Sequence, residues 1–332
     1  MIHTIKLFFP IEYYEVMDLQ KRFNIYYRQL NDYFADHYGG RFKGITIHIS
    51  NKGNGQWKLY MFIDGILLLG KSDLTEDDYP LIEQEIKNIL WILFRHFSHF
   101  KHHILQRIDY RYDVVIEEKL HRDILLHLYQ KLTKSHRYQK KYIGKLDAEG
   151  VFQKYETTVY HSSKSVQAVV YSKEEERMFK KEEIQEYEKN VLRFEVRILQ
   201  DHINYMARQD KGNSRSKKLK EYMKEEIYRD YFQKYMSPIY HAGDFYKLDE
   251  ARKRIRKSSF TDSNKNKLIE FLKQVSSHSI DTPLKSMTKS TFRNRINMLS
   301  ELGINPIPIP KNYAKAPNTL CNPLDRFLWK KD

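Results

Sequence analysis

The chain has 332 residues, of which 41% are hydrophobic and 30% charged, with 12 glycines and 9 prolines. This composition is typical of a globular protein and excludes disordered, collagen-like and low-complexity classes. No apolar run approaches the roughly 18 residues that a membrane-spanning helix needs. The first residues of the sequence reach an acidic side chain too early for a secretory signal. A single cysteine, Cys321, permits no internal disulfide and no cysteine-based zinc cluster. We therefore expect a cytoplasmic protein without a membrane partner.

The charge is distributed unevenly along the chain. Lys and Arg number 58 against 43 Asp and Glu, a net charge of +15. Residues 206–332 hold 27 basic and 14 acidic residues, a net +13, whereas residues 1–205 hold 31 and 29, a net +2. Because basic surfaces bind the phosphate backbone, the second part is predicted to bind nucleic acid and the first to carry the chemistry. A basic surface that serves only solubility is the alternative.

The hydrophobic pattern of the first part predicts strands and helices in turn. The predicted strands cover residues 3–9, 44–49, 57–69, 106–116, 157–171 and 191–198, and the segment 57–69 includes a hairpin turn at Asp64 and Gly65. The predicted helices cover residues 13–38, 80–100 and 121–132. The pattern indicates an α+β fold, in which an antiparallel sheet has helices on one face and is followed by a basic, mainly helical domain.

A polar linker, QDKGNSRSKK at residues 209–218, divides the chain into predicted domains at 1–208 and 209–332. Within the second, a polar turn precedes an amphipathic helix in the segment 284–303. Its open faces carry the residues that would read DNA in a helix-turn-helix, namely Thr291, Arg293, Asn294 and Asn297. A plain amphipathic helix is the alternative. The proline-rich tail is expected to be extended or draped over a neighbouring surface.

One nucleotide-binding motif is rejected. GILLLGKS, from Gly65 to Ser72, matches the phosphate-loop pattern in full. A phosphate loop is an exposed anion-binding bend, whereas the four central residues here are apolar and fit a buried strand. We therefore do not expect an NTPase.

Acidic residues recur on single faces of two predicted strands. Because side chains alternate along a strand, Asp109 and Asp113 share one face of RIDYRYDV, and Arg193, Glu195 and Arg197 share one face of LRFEVRI. If the two strands are neighbours, the carboxylates can meet and hold Mg²⁺ or Mn²⁺, which prefer oxygen ligands. Two ordinary strand faces with ion pairs are the alternative.

The order of these residues resembles the Rep_trans family, the replication initiation factors of small rolling-circle plasmids, which also includes relaxases of integrative conjugative elements. Arg107, Asp109 and Asp113 match the family's Arg-x-Asp-x-x-x-Asp strand, and YSKEEER, residues 171–177, matches its Tyr-x-Lys stretch. Arg193 and Glu195 match Arg-x-Glu, and Tyr205 stands ten residues after that glutamate. Relatives from staphylococcal plasmids carry a second glutamate where this chain has Arg197. The segment 290–304 is similar to the end of filamentous-phage replication proteins.

The resemblance implies that Tyr205 attacks a phosphodiester at an origin, takes the 5′-phosphate and releases a 3′-hydroxyl primer. It implies Lys173 and Arg193 as further catalytic residues that neutralise the phosphate, and Glu195, Asp109 and Asp113 as ligands of Mg²⁺ or Mn²⁺. The alternative for Lys173 and Arg193 is a contact with backbone phosphate or a structural ion pair. Double-stranded origin DNA and the single-stranded nick site are the implied partners, with a homodimer and a host superfamily-1 helicase.

Other interpretations stay open at this point. A relaxase for conjugative mobilisation would use the same chemistry, and a non-catalytic origin binder or repressor would use only the DNA-binding surface. The larger nickase superfamily pairs two histidines around one apolar residue, and this chain contains no such triplet. The histidines of the segment RHFSHFKHH, residues 95–103, are interpreted as a polar helix end, either solvated or in contact with phosphate.

Overall fold

The computed structural model describes the chain apart from residues 52, 54, 132–138, 142–143, 147–151, 155–156, 213, 312, 314 and 330–332. The described strands, in chain order, are β1 Ile2–Ile11, β2 Ile45–Asn51, β3 Trp57–Asp64, β4 Ile104–Val115, β5 Gln139–Lys141, β6 Gly144–Leu146, β7 Phe152–Lys154, β8 Thr158–Ser162, β9 Val166–Ser172, β10 Val191–Ile198, β11 Phe245–Tyr246 and β12 Thr319–Leu320.

The described helices are α1 Tyr13–Phe23, α2 Leu30–Tyr38, α3 Gly65–Leu69, α4 Tyr79–Phe94, α5 Lys119–Gln130, α6 Lys173–Lys180, α7 Gln200–Met206, α8 Leu219–Tyr222, α9 Glu225–Met236, α10 Leu248–Lys257, α11 Asp262–Ser277, α12 Lys289–Glu301 and α13 Asp325–Leu328. The mixture of helices with antiparallel strands confirms the predicted α+β class.

The chain forms two compact units, each built from several segments. Unit 1 comprises Met1–Tyr112, Lys164–Val166 and Glu195–Asp230, and unit 2 comprises Asp113–Ser163, Gln167–Phe194 and Tyr231–Asp332. These units do not follow the boundary drawn at residue 208, since residues 209–230 pack in unit 1. The division into a nicking domain and a DNA-binding domain stays a prediction about function.

Unit 1 is built on an antiparallel sheet in the order β2-β3-β1-β4, with residues 195–198 of β10 beside β4. Strand β1 is central, and its Ile5 pairs with Ile63 of β3 and with Ile108 of β4. All three side chains are fully buried. The core continues into α4, whose apolar residues recur at helical spacing and are completely buried, namely Ile82, Ile86, Ile89, Leu90 and Leu93. Each such side chain stabilises the fold by roughly 1.5–3 kcal/mol.

In unit 2, strands β8 and β9 form a hairpin in which Thr158 pairs with Tyr171 and Ser162 with Gln167. The centre of the unit is aromatic, with the Tyr129 ring 4.9 Å from Tyr240 and 5.8 Å from Phe194, both edge to face. The first part of the proline-rich tail pairs with residues 244–247. There Ile304 bridges Asp244 and Ile309 bridges Lys247, and both isoleucines are buried.

Two predicted helices are longer than the helices in the structure. The segment 13–38 is not one helix, because Asn24 adopts a left-handed conformation with φ 52° and ends α1 before a 3-10 turn and α2. Asparagine tolerates this conformation better than most residues. The predicted helix 80–100 ends at Phe94, because Arg95 is also left-handed with φ 62°.

Two predicted strands also differ. The hairpin at Asp64 and Gly65 is wrong, because the Asp64 side chain accepts hydrogen bonds from the backbone N–H groups of Ile66 and Leu67 and caps α3. The apolar residues 66–69 therefore form a helix and not a strand. The segment 157–171 is a hairpin of two strands, β8 and β9.

The segment GILLLGKS, residues 65–72, differs from a phosphate loop for another reason than the predicted buried strand. Residues that would cradle phosphate form α3 itself, which Gly70 ends with φ 63°. Lys71, which would reach the phosphates, forms an ion pair with Asp78. In the part of the chain that the structure describes, no helix is long and apolar enough to cross a membrane.

Candidate active site

Two buried carboxylates meet in unit 1, as the strand patterns predicted. Asp109 of β4 is 2% exposed and Glu195 of β10 is fully buried. The Arg197 guanidinium lies between them, with Nη2 2.6 Å from Glu195 Oε2 and Nε 3.9 Å from Asp109 Oδ2. Alternation along β10 places Glu195 and Arg197 on the same face. The structure thus brings together two of the three predicted metal ligands.

Asp109 is held by a second arginine on its own strand. Arg107 Nε donates to Asp109 Oδ1 at 2.7 Å, and Nη2 donates to Oδ2 at 2.5 Å. This two-point geometry is the strongest that an arginine and a carboxylate can form. Burying two carboxylates without such cations would be costly, so Arg107 and Arg197 make the buried acids tolerable.

Two further residues of the site were missed by sequence reasoning. His3 Nδ1 lies 3.4 Å from Glu195 Oε1, and His3 Nε2 lies 3.5 Å from Asp64 Oδ2. The register of β1 explains the meeting, because Thr4 pairs with Asp64 on one side and with Asp109 on the other. An irregularity between Ile2 and Thr4 in the pairing with β4 accompanies the turn of His3 toward these acids.

The third predicted metal ligand, Asp113, makes a different contact. It lies in unit 2, where Arg193 Nε and Nη2 donate to its two carboxylate oxygens at 2.7 and 2.8 Å. Arg193 is completely buried and Asp113 is 22% exposed. Arg193 was predicted to contact phosphate and Asp113 to bind the metal ion. In the structure these two residues form an ion pair with each other.

Lys173, the other predicted phosphate-binding cation, is the first residue of α6 and is also buried. Its ammonium group lies 2.5 Å from Glu176 Oε2 and 3.5 Å from Glu188 Oε1. Burial, reinforced by the nearby positive charge of Arg193, lowers the pKa of Lys173. Burial acts to raise the pKa of Glu176, but the charges and hydrogen bonds of Lys173 and Lys180 together lower it.

Tyr205, the predicted nucleophile, lies on α7, the helix that directly follows β10. Its side chain is 49% exposed, and it belongs to unit 1 together with Asp109 and Glu195. The start of α7 is fixed by a hydrogen bond from the Leu199 N–H to the Ser165 carbonyl at 2.9 Å. Tyr205 is thus an exposed tyrosine on a short helix that follows the acid-bearing strand.

The weaker tyrosine candidates are less exposed than Tyr205. Tyr171 is buried in β9, and Tyr160 in β8 and Tyr187 are half-buried. Of these tyrosines, Tyr205 is the most exposed.

The predicted recognition helix is α12, in unit 2. Thr288 caps its start by accepting a hydrogen bond from the Thr291 N–H at 3.1 Å. The Phe292 ring packs 5.6 Å from Phe271 of α11, and Leu299 is fully buried. Of the predicted DNA-binding side chains, that of Thr291 is half-buried. The other three are exposed, namely Arg293, Asn294 and Asn297.

Comparison with known proteins gives weak structural similarity and no similarity in sequence. No family model matches the chain, and no curated protein matches it by sequence. One similar solved structure is that of a rolling circle replication initiator protein from Geobacillus stearothermophilus. The two are 12% identical, the alignment covers 94% of this chain and 98% of that one, and the TM-score is 0.33.

Proposed function

We propose that this protein nicks and rejoins one strand of DNA through Tyr205 and acts as a rolling-circle replication initiator. The observation that carries the proposal is the placement of Asp109 and Glu195 together in unit 1, with an exposed tyrosine on the helix after the Glu195 strand. The motif order from Arg107 to Tyr205 supports the same reaction.

In this reaction the Tyr205 oxygen forms a bond to the scissile phosphorus, and the bond from phosphorus to the 3′-oxygen breaks. The Tyr205 proton leaves to a base, and the departing oxygen takes a proton to become a 3′-hydroxyl. The phosphotyrosine conserves the energy of the broken bond, so that the reverse attack can rejoin the strand. A tyrosine hydroxyl has a pKa of about 10, so this attack needs assistance at neutral pH.

The buried carboxylates of Glu195 and Asp109 fit a divalent cation. Carboxylate oxygens of Glu195 and Asp109 share one face with His3 and Asp64, and a mixed oxygen and imidazole set suits Mn²⁺ better than Mg²⁺. We propose that Glu195 and Asp109 hold Mn²⁺ or Mg²⁺, with His3 and Asp64 as additional donors. The cation would polarise the scissile phosphate. Lys173, Arg193 and Asp113 would act within unit 2 by stabilising its fold, through the ion pairs that they form.

The basic region is proposed to bind the origin, with α12 in the major groove. Origin DNA and the single-stranded nick site are the proposed partners, together with a second copy of the chain and a host helicase. A relaxase would use the same reaction at a transfer origin, so the identity of the DNA site distinguishes the two roles.

The test is cleavage of supercoiled DNA carrying the origin nearest the gene, with Mn²⁺, followed by SDS gel electrophoresis and mass mapping of the labelled peptide. Tyr205→Phe should bind DNA as the wild type does but form no covalent adduct, because only the attacking oxygen is lost. Tyr26→Phe is the matched control, since Tyr26 is 51% exposed in the same unit. An adduct that persists in Tyr205→Phe would assign the nucleophile elsewhere.

A second candidate, a DNA-binding protein without catalysis, is favoured by one observation. Arg107 engages both oxygens of Asp109, and Arg197 engages one oxygen of Glu195, so the arginines already balance the acids. Tight, salt-sensitive binding with no adduct under any divalent cation would support this origin binder or repressor instead.

A further inference from the structure

A second cluster of side chains that could hold a metal ion lies in unit 1 and shares no residue with the Asp109 and Glu195 site. Glu15 Oε1 lies 2.7 Å from His99 Nε2 and 3.6 Å from His96 Nε2. One ligand atom from each of the three residues falls within 4.8 Å of the other two. The two imidazole rings are 5.0 Å apart. A single ion between these atoms would touch all three residues.

Backbone geometry explains how residues so distant in sequence converge. Glu15 is in the first turn of α1, and the left-handed Arg95 turns the chain out of α4 just before His96. A 3-10 turn over Ser98–His102 then presents His99 on the same side. Helices α1 and α4 contact each other, so the cluster lies where the start of one helix meets the end of the other.

Surrounding hydrogen bonds orient two of the three ligands. The Glu12 N–H donates to Glu15 Oε2 at 2.8 Å, while Glu15 Oε1 faces the histidines. Ser98 Oγ lies 2.8 Å from His96 Nδ1, which leaves His96 Nε2 toward Glu15. Such contacts are characteristic of residues that support metal ligands, because they fix the ring orientation and the tautomer.

The burial of the cluster is graded. Glu15 and His99 are 7% and 13% exposed, and the Phe94 ring stands edge-on to His99 at 5.0 Å. His96 is 46% exposed, and it lines a cavity of about 670 Å³ together with Ser98. An ion can therefore enter from the His96 side and retain a water molecule there.

We propose that Glu15, His96 and His99 form a site for a divalent transition metal ion, and that Zn²⁺ is the ion it fits best. Two imidazoles and one carboxylate are ligands that Zn²⁺ takes in a tetrahedral site with one water. Mg²⁺ and Ca²⁺ prefer sets made of oxygen alone, so the two imidazoles of this site disfavour both ions. The bound ion ties α1 to the segment after α4, and it stabilises unit 1 whether or not the protein cleaves DNA.

The test is Zn²⁺ binding to the full-length protein after treatment with a chelator, measured by competition with a chromogenic chelator and by thermal unfolding. The wild type should bind one Zn²⁺ per chain at this site and unfold at a higher temperature with Zn²⁺, since a ligand that binds the folded state stabilises it. His96→Ala removes an exposed ligand, so it should fold normally and lose at least tenfold in affinity. His99→Ala and Glu15→Gln should lose binding as well.

His102→Ala is the matched control, because His102 is exposed in the same 3-10 turn and should leave Zn²⁺ affinity unchanged. Glu195→Gln should also retain the site. Equal affinities in His96→Ala, His102→Ala and the wild type would overturn the proposal. So would a wild type that binds no Zn²⁺, which would leave Glu15 and His99 as an ion pair only.

Discussion

Glu195 is a fully buried carboxylate held between Arg197 on one oxygen and His3 near the other. Arg197 stands where relatives of the resembled family carry a second glutamate. It therefore competes with any cation for Glu195, and two opposite charges at 2.6 Å in a buried site attract each other strongly.

We expect Arg197→Gln to lower the Mn²⁺ concentration needed for half-maximal cleavage by several fold, because Glu195 Oε2 loses its cation. Arg197→Lys, which keeps the charge, is the control and should change this concentration less. Cleavage rates measured across a Mn²⁺ titration decide the question. An Arg197→Gln variant that needs more Mn²⁺ would show that Arg197 supports the metal site or binds phosphate.

Asp113 offers a second test at the level of single residues. Asp113→Asn leaves the fully buried Arg193 without its two-point partner. Removing one member of a buried ion pair costs about 3–5 kcal/mol, and the partial exposure of Asp113 reduces the expected loss to about 2 kcal/mol. Urea denaturation measures it, with the exposed Asp123→Asn as control. Unchanged stability in Asp113→Asn would leave Asp113 available as a metal ligand.

Side-chain alternation is a local property of a strand, so the sequence predicted which residues share a face with Asp109 and with Glu195 but left open whether the two strands are neighbours. His3 and Asp64 escaped prediction for a physical reason. The position of His3 depends on an irregular pairing between β1 and β4, and that of Asp64 on whether the next residues form a turn or a helix. Both depend on partners that are remote in sequence.

At the scale of elements, the strand β10 was predicted with its observed bounds, whereas the segments 13–38 and 57–69 were not. The apolar run after Asp64 fits a strand or a buried helix equally well by periodicity, and the Asp64 cap decides for the helix. The helix break at Asn24 rests on one left-handed residue, which hydrophobic spacing does not reveal.

Helix α12 carries the prediction for DNA recognition. Replacing Arg293 and Asn294 together with alanine should reduce the preference for origin DNA over unrelated duplex by about tenfold or more, because each good base contact contributes about 1–3 kcal/mol. Cleavage of a single-stranded oligonucleotide should be unaffected. Competition binding assays measure the preference.

The matched control is Asn266→Ala with Lys267→Ala, which removes one amide and one cation from exposed positions of the neighbouring helix α11. Equal loss of preference in both double variants would assign α12 a nonspecific electrostatic role.

At the scale of the whole molecule, the net charge of +15 is concentrated in residues 206–332. Binding to duplex DNA should weaken steeply with salt, since each phosphate neutralised contributes about −0.9 to the slope of log K against log salt concentration. Charge-reversing Lys253 and Lys257 of α10 to glutamate should make this slope shallower, whereas the same changes at Lys21 and Lys87 of unit 1 should not. Fluorescence anisotropy at several salt concentrations provides the measurement.

Stability should also depend on pH through His241 of unit 2. Burial lowers the pKa of His241 to about 4, from an ordinary 6.5. The unfolded chain thus binds a proton more readily, so the stabilisation is complete above pH 6.5 and is lost progressively as the pH falls toward 4. At pH 5.5 the expected loss is about 1 kcal/mol. Urea denaturation of the wild type and His241→Asn at pH 7.5 and 5.5 should show a smaller pH effect in the variant, whereas exposed His278→Asn should behave like the wild type.

Unit 1 is built from three separate stretches of the chain, so a C-terminal truncation can remove part of it. The Tyr110 hydroxyl donates to the Tyr222 carbonyl at 2.6 Å, and the Tyr228 hydroxyl donates to the Arg111 carbonyl at 3.1 Å. A stop codon after residue 208 would remove both of these contacts together with the buried Leu219 and Met223. A fragment made in this way would expose the strand that bears Asp109, so a protease should digest it far faster than the full-length chain.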